Sequence, residues 1–304
     1  MQGQFLDIIL DNLNSMLLSL SLIIPAYNEA PRLGKTLQAV FAYLNEQATG
    51  SEVIVVDDGS RDATVEVAEQ SFASYAGKVG ARLIRNKPNR GKGHAVRTGL
   101  LAARAPVALF SDADLSTPIT ETPKLVAPIR AGEFDLVFGS RALDRSLIGV
   151  HEPWRREQGG RVFNLVVRLA TGLPFWDTQC GFKAFRMSVC RPIIEAATID
   201  RFCFDVELLY IAHLAGLRLH ERAVRWDHNN EGSKVEVWRD TRRAVAEINR
   251  IRRQAQSGFY DTAIRGVREL LAREKAAESP AAHAADATAP SDVSPDLADA
   301  SRRI

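Results

Sequence analysis

Between residues 19 and 140, short apolar runs alternate with stretches whose apolar residues recur every three or four positions. Leu22 to Pro25 reads as a strand, and Leu33, Leu37, Val40, Phe41 and Leu44 follow at helical spacing. The β-branched run at 53–56 predicts a second strand. Ser60 or Asp62 then caps a helix over ATVEVAEQSFASY (63–75). A third strand is expected at 82–85 and a third helix over GHAVRTGLLAAR (93–104), then a strand at 107–112, a helix opening at Pro118, and a strand in FDLVFG (134–139). Strands that are apolar throughout and are joined by helices predict an α/β fold, with a mostly parallel central sheet covered on both faces. Ligands of such sheets bind at the carboxyl ends of the strands. Asp57, Asp58, Asp112 and Asp114 all fall at such ends, so four acids are expected to converge on one site.

Beyond residue 141 the pattern loosens into an Arg-rich loop, an amphipathic stretch at 162–169 and a Gly/Thr/Gln loop. The helix FDVELLYIAHLAG, a strand near Val224 and a basic helix over 238–254 follow. This divides the chain into an N-terminal extension (1–19), a main domain (20–240, with halves 20–140 and 141–240), a basic helical region (241–275) and a tail (276–304). The tail is rich in Ala, Pro, Ser and Asp and is read as disordered. Residues 1–15 read as a short surface helix without the basic start of a signal peptide. MLLSLSLII (16–24) is too short to span a membrane before Pro25 and reads as the start of the first strand.

Composition changes this picture little. The 46% apolar content of 304 residues allows a sizeable core. A net charge of +2 leaves no overall nucleic-acid footprint, so an anionic partner must be met by a local cluster. Cys180, Cys190 and Cys203 lack Cys-x-x-Cys spacing and read as core or loop residues of a protein in a reducing, cytoplasmic compartment. The six histidines form no zinc pattern.

The chemistry lies in FSDADLSTP (110–118). If the chain stays extended, Asp112 and Asp114 share a face and can present oxygens to one ion. Hard oxygen donors without His or Cys select Mg²⁺ or Mn²⁺, which binds through few carboxylates plus substrate phosphates and so implies a nucleoside diphosphate. A lone Asp-x-Asp has a plainer reading as a solvated turn. Asp57-Asp58-Gly59-Ser60 offers acceptors for ribose hydroxyls or an imide N–H, or simply caps a helix. Gly91-Lys92-Gly93 lets backbone and ammonium approach a phosphate but lacks P-loop order.

Taken together, IIPAYNEAPRL (23–33), VIVVDDGSRDAT (53–64), NRGKGHAVRTG (89–99) and FSDADLSTP resemble the inverting family 2 glycosyltransferases, whose nucleotide-sugar domain has the Rossmann-like GT-A fold. The resemblance spans roughly 20–240. Its continuation through GSRALDRS, GGRVFNLVVRLATG, DTQCGFKAF, FDVELLYIA and HNNEGSKV is closest to the polyprenyl-phosphate sugar transferases, above all the dolichyl-phosphate β-glucosyltransferases. It implies that Pro25, Tyr27 and Glu29 line a nucleoside pocket and that Asp57 or Asp58 holds the base or ribose. Lys92 approaches the nucleotide, with Asp112 and Asp114 at the metal and diphosphate.

The implied acceptor is a polyprenyl phosphate. Arg141, Arg161 and Lys234 are assigned to its phosphate, with Asp177 and Gln179 as polar positioners in the DTQCGFK loop; Asp112, Asp114 and Arg141 are the catalytic candidates. Arginines 141, 145, 155, 156, 161 and 168 interleave with Leu147, Ile148, Val150, Trp154, Phe163, Leu165, Val166 and Val167, a pattern suited to a membrane surface with anionic headgroups. The expected reaction moves glucose from UDP-glucose to the lipid phosphate with inversion, at the cytoplasmic face and by peripheral contact. Rivals are another nucleotide sugar (GDP-mannose or a UDP-N-acetylhexosamine), a sugar hydroxyl acceptor, and a non-catalytic nucleotide-sugar-binding protein. Ser116 stands where polyprenyl-phosphate mannosyltransferases often carry a Gln ligand, so the ion is expected to rely on two side chains and more water.

Overall fold

The computed structural model describes residues 18–47, 50–150, 154–228 and 237–277, apart from the side chains of 154–157 and 237–244. The first half alternates β1 (Leu18–Ala26), α1 (Ala30–Asn45), β2 (Gly50–Asp57), α2 (Thr64–Ser74), β3 (Gly80–Arg85), α3 (Lys92–Ala102), β4 (Val107–Ser111), α4 (Thr122–Arg130) and β5 (Leu136–Ser140). The second half adds β6 (Ile148–Val150), α5 (Trp154–Thr171), β7 (Phe182–Arg186), α6 (Met187–Ala196), α7 (Phe204–Ala215), β8 (Leu219–Ala223), β9 (Trp226–Asp227), α8 (Val237–Gln256) and α9 (Asp261–Ala277).

Seven strands form one sheet in the order β3-β2-β1-β4-β7-β5-β8; β6 and β9 make a separate two-stranded ribbon. All pairings in the large sheet are parallel except those of β7, which runs antiparallel between β4 and β5. The strands are apolar throughout because both faces are covered. Ile23, Ile54, Val56, Phe110 and Phe138 meet α3, α6 and α7 on one side, while Leu22, Ile24, Val53, Val55 and Leu109 meet α1 and α4 on the other. Ile248 and Ile251 of α8, Tyr260, and Val267 of α9 join the first of these cores.

Three local expectations are corrected. Phe182–Arg186 is a strand paired with β4 and β5 rather than the end of a loop; the apolar pattern misses it because Lys183 stands at an inward position. Pro118 does not open α4: it precedes a 3₁₀ turn at Ile119–Glu121, and the α-helix begins at Thr122. The formal cap of α2 is Ala63, with Asp62 Oδ1 accepting the Thr64 amide hydrogen at 3.1 Å. The surface-helix reading of 1–15 and the disorder reading of 278–304 lie outside the described residues.

The antiparallel strand has a consequence for the site. β1, β2, β4, β5 and β8 all end at one sheet edge, and β7 begins there, so the segment before Phe182 reaches that edge too.

Candidate functional site

At that edge β4 stops at Ser111, and Asp112–Leu115 forms a turn closed by the Leu115 amide donating to the Asp112 carbonyl at 3.2 Å, with Leu115 at φ 47°. Asp112 and Asp114 therefore do not share a face through strand alternation; the turn brings them to the edge. Asp114 Oδ1 accepts the Ser116 amide hydrogen at 2.9 Å. The Asp112 amide donates to the Gly181 carbonyl at 3.1 Å, and a Cβ added to Gly181 would lie 2.1 Å from Asp112 Oδ2. Only glycine leaves room for that carboxylate.

Lys92 Nζ lies 2.6 Å from Asp112 Oδ1. Partial desolvation lowers the Lys92 pKa, but the charges of Asp112, Asp205 and Asp114 outweigh that and hold it above the ordinary lysine value, the side chain remaining 44% exposed. Lys92 opens α3 directly after Gly91, whose φ of 122° disfavours any side chain and where an added Cβ would lie 2.6 Å from the Asp200 carbonyl oxygen.

The other two acids of the edge are engaged elsewhere. Asp58 accepts amide hydrogens from Arg90 (3.1 Å) and Gly91 (2.6 Å), and Asp57 accepts that of Ser60 at 3.2 Å. Both are buried at 2% exposure. All four acids thus stand at the carboxyl ends of β2 and β4, with Asp57 and Asp58 held by backbone amides; among the described residues no group of three or more His, Cys, Asp or Glu is placed to hold a metal. The turn offers two carboxylates. Such a set fits Mg²⁺ or Mn²⁺ completed by substrate oxygens and water, and no softer ion.

At the end of β1, Pro25 is buried opposite Val56, and Tyr27 emerges past the strand end at 36% exposure. Glu29 pairs with Arg32, and its amide donates to Thr64 Oγ1 at 2.8 Å. Asn28, at φ 54°, binds Ser60 Oγ and the Arg61 amide through its own backbone and side chain, so the ends of β1 and β2 are laced together.

The other half of the edge is a pocket of about 470 Å³. Arg141, Arg145, Arg161 and Arg168 line it with Ile148, Leu165, Trp176 and Trp226. Arg141 grips Asp177 through Nε (2.7 Å) and Nη2 (2.9 Å), and its guanidinium lies 5.5 Å from the Trp226 ring. Burial opposes ionisation of Asp177, yet Arg141 brings its pKa down to about 2. Arg168 stacks on Trp176 at 3.8 Å, a cation–π contact. Glu221 of β8 accepts the Trp176 and Asp177 amide hydrogens at 2.9 and 2.7 Å. The Gln179 amide donates to Asp177 Oδ1 at 3.2 Å, and its side-chain Nε2 is buried without a hydrogen-bond acceptor.

Of the residues expected at the site, Asp112, Asp114 and Lys92 come together; Arg141, Arg161 and Asp177 meet in the pocket. Lys234 and the side chains of Trp154, Arg155 and Arg156 lie outside the described residues. Arg145 and Arg168 were visible as members of the Arg-rich stretch without assigned roles. Gly181, Trp176 and Trp226 carried no signal in the sequence, because their places depend on β7, α5 and β9 meeting at the edge.

Glycosyl transferase family 2 matches residues 21–193, more than half of the chain and every motif from β1 through β7. The chain belongs to that family. Among curated relatives, a dolichyl-phosphate β-glucosyltransferase of Drosophila melanogaster is 40% identical, over 72% of this chain and 69% of that protein. Those of Dictyostelium discoideum and Homo sapiens are 33% and 35% identical, over 79% and 71% of this chain and 76% and 69% of theirs.

Among solved structures, glucosyl-3-phosphoglycerate synthase of Mycobacterium tuberculosis with UDP aligns at TM-score 0.53 and 20% identity, covering 77% of this chain and 79% of that one. The same enzyme with Mn²⁺, UDP-glucose and phosphoglyceric acid aligns at 0.52 and 20%, with the same coverage. The likeness places this family 2 glycosyltransferase in the GT-A fold. No described helix is long and apolar enough to cross a membrane.

Proposed function

We propose that this glycosyltransferase moves glucose from UDP-glucose to a dolichyl-type polyprenyl phosphate with inversion, giving a β-linked lipid phosphoglucose and UDP. The observation that carries the reading is that one short segment serves both halves of the edge. Gly181 lies against Asp112, while Asp177, four residues earlier in the same loop, holds Arg141 in the arginine pocket. A donor diphosphate at the acid turn and an acceptor phosphate among the arginines are then neighbours. The names of the curated relatives support the same donor sugar and acceptor class.

Asp112 and Asp114 would hold a divalent cation together with the donor diphosphate, and the ion would supply charge stabilisation to the leaving UDP. Lys92, held protonated beside Asp112, adds a second cation there. Tyr27, Glu29 and Asp57 frame the nucleoside, Asp58 fixes the Lys92 loop, and Arg141, Arg145, Arg161 and Arg168 orient the acceptor phosphate. A phosphate monoester is ionised near neutral pH and needs positioning rather than a base.

A sugar hydroxyl would need a general base. The one carboxylate lining the described pocket is Asp177, whose pKa of about 2 makes it a poor base. This disfavours the hydroxyl-acceptor reading. Lipid access would be peripheral: Val162, Leu165 and Leu169 form an exposed stripe on α5, and Leu165 also lines the pocket. Three buried free thiols suit the cytoplasmic face.

The test incubates the protein with UDP- and GDP-sugars, Mn²⁺ and polyprenyl phosphate and follows lipid-linked product by mass. UDP-glucose should be turned over and Asp114→Ala should abolish transfer. Turnover only with a free sugar acceptor, or none with any donor, rejects the reading.

A further inference from the structure

The core beneath the acid turn contains a lysine. Lys183 of β7 stands in register with Phe110 of β4 and Phe138 of β5 and is fully buried. Its ammonium donates to the Cys180 carbonyl, pairs with Asp205 at 2.7 Å and lies 5.4 Å from the Phe110 ring centre. Asp205, 4% exposed, sits in the first turn of α7. Burying two charges costs several kcal/mol, and an apolar pair of similar volume would fill the space at least as well. Packing alone does not account for a Lys–Asp pair at this place.

Two connections lead from the pair to the acid turn. Along the backbone, Lys183 holds the carbonyl of Cys180, and the next residue, Gly181, accepts the Asp112 amide hydrogen and borders its carboxylate. Through space, Asp205 also interacts with Lys92, whose ammonium bridges to Asp112.

We propose that Lys183 and Asp205 are positioning residues of the donor site: the buried pair clamps the Cys180–Gly181 turn under Asp112. The acid turn thereby meets a nucleoside diphosphate and its cation in one fixed geometry. Neither residue touches substrate. The proposal rests on the donor-site reading above and assigns work to a pair that the reaction itself does not require.

The experiment titrates UDP with Mn²⁺ calorimetrically into the full chain and into Asp205→Asn, Lys183→Met and the apolar pair K183M/D205L, with thermal unfolding of each. Asp205→Asn keeps the side-chain shape, and the double variant removes both charges, so each guards against simple loss of fold. The Kd for UDP–Mn²⁺ should rise about tenfold in every folded variant, and KM for UDP-glucose should rise with it, while KM for polyprenyl phosphate stays within about twofold.

A folded double variant that binds UDP–Mn²⁺ as wild type does makes the pair a core filler and overturns the proposal. So does a loss shared equally by donor and acceptor. Failure of the unaltered protein to bind UDP with Mn²⁺ defeats the donor reading itself, and the inference with it.

Discussion

Arg141 shows how one side chain can belong to the fold and the site together. Its bidentate grip on Asp177, 2% exposed, means that Arg141→Ala leaves a buried carboxylate without its cation. A loss of about 3–5 kcal/mol is expected. The sign with pH follows from the shift. Asp177 ionises at about 2 when folded, against about 3.9 unfolded, so the stabilisation is complete above about pH 4 and disappears as pH falls towards 2. Arg141→Ala removes the guanidinium charge and its two side-chain hydrogen bonds while the amides of Arg141 and Gln179 still donate to Asp177, so the loss of stability between pH 4 and 2 should be smaller than in wild type. Melting temperatures of both proteins from pH 2 to 7 check this. Because Arg141→Ala confounds stability with binding, Arg161, exposed in α5, is the cleaner probe of the phosphate. Arg161→Ala should raise KM for polyprenyl phosphate about tenfold, with an unchanged melting temperature and unchanged UDP affinity. The acids of FSDADLSTP were legible in the sequence because their type and spacing are unusual at a strand end. Their engagement was not: Lys92 is distant in the chain, and the turn depends on the Gly181 carbonyl accepting the Asp112 amide hydrogen.

Among the elements, the helices past residue 237 reach the site through the core. The Tyr260 hydroxyl lies 2.8 Å from Glu207 Oε1 and 3.0 Å from Gln254 Oε1. Glu207, fully buried in α7, accepts from the Thr198 and Ile199 amides and the Thr198 hydroxyl. The next residue, Asp200, pairs with Arg90 and Arg97, and its carbonyl accepts the His94 amide hydrogen at 2.9 Å. A chain of contacts thus runs from Tyr260 to the start of α3, where Lys92 stands. Tyr260→Phe should cost about 1–2 kcal/mol and raise KM for UDP-glucose a few-fold, read from denaturant midpoints and steady-state kinetics. Helix periodicity identified α3 and α7 within a residue or two and the inward positions of α1. The strand at Phe182–Arg186 escaped the same reasoning, since its inward lysine is satisfied only by Asp205 from a helix further along the chain.

For the molecule as a whole, the arginine pocket and the apolar stripe of α5 open on the same side, with Leu165 shared between them. Binding to vesicles containing anionic lipid should therefore have an electrostatic and an apolar part. Raising ionic strength from 0.01 to 1 M shortens the screening length from about 30 to about 3 Å and should weaken binding strongly. Leu165→Gln with Leu169→Gln should lower vesicle affinity about tenfold, while turnover of a short, water-soluble polyprenyl phosphate changes little. Co-sedimentation across a salt series separates the two contributions.

Residue order alone was enough to place strands at 22–25, 53–56 and 107–112, within or at β1, β2 and β4, together with the helices between them and the polar residues at their carboxyl ends. Apolar periodicity and turn chemistry are local properties, and both faces of this sheet are covered by helices close by in the chain. The antiparallel entry of β7 between β4 and β5 was settled only in three dimensions, and with it the meeting of Gly181 with Asp112 and of Asp177 with Arg141. So was the burial of a lysine. Charges in a low-dielectric core are tolerable only beside opposite charges brought from elsewhere in the chain, and no local pattern encodes which partner will arrive.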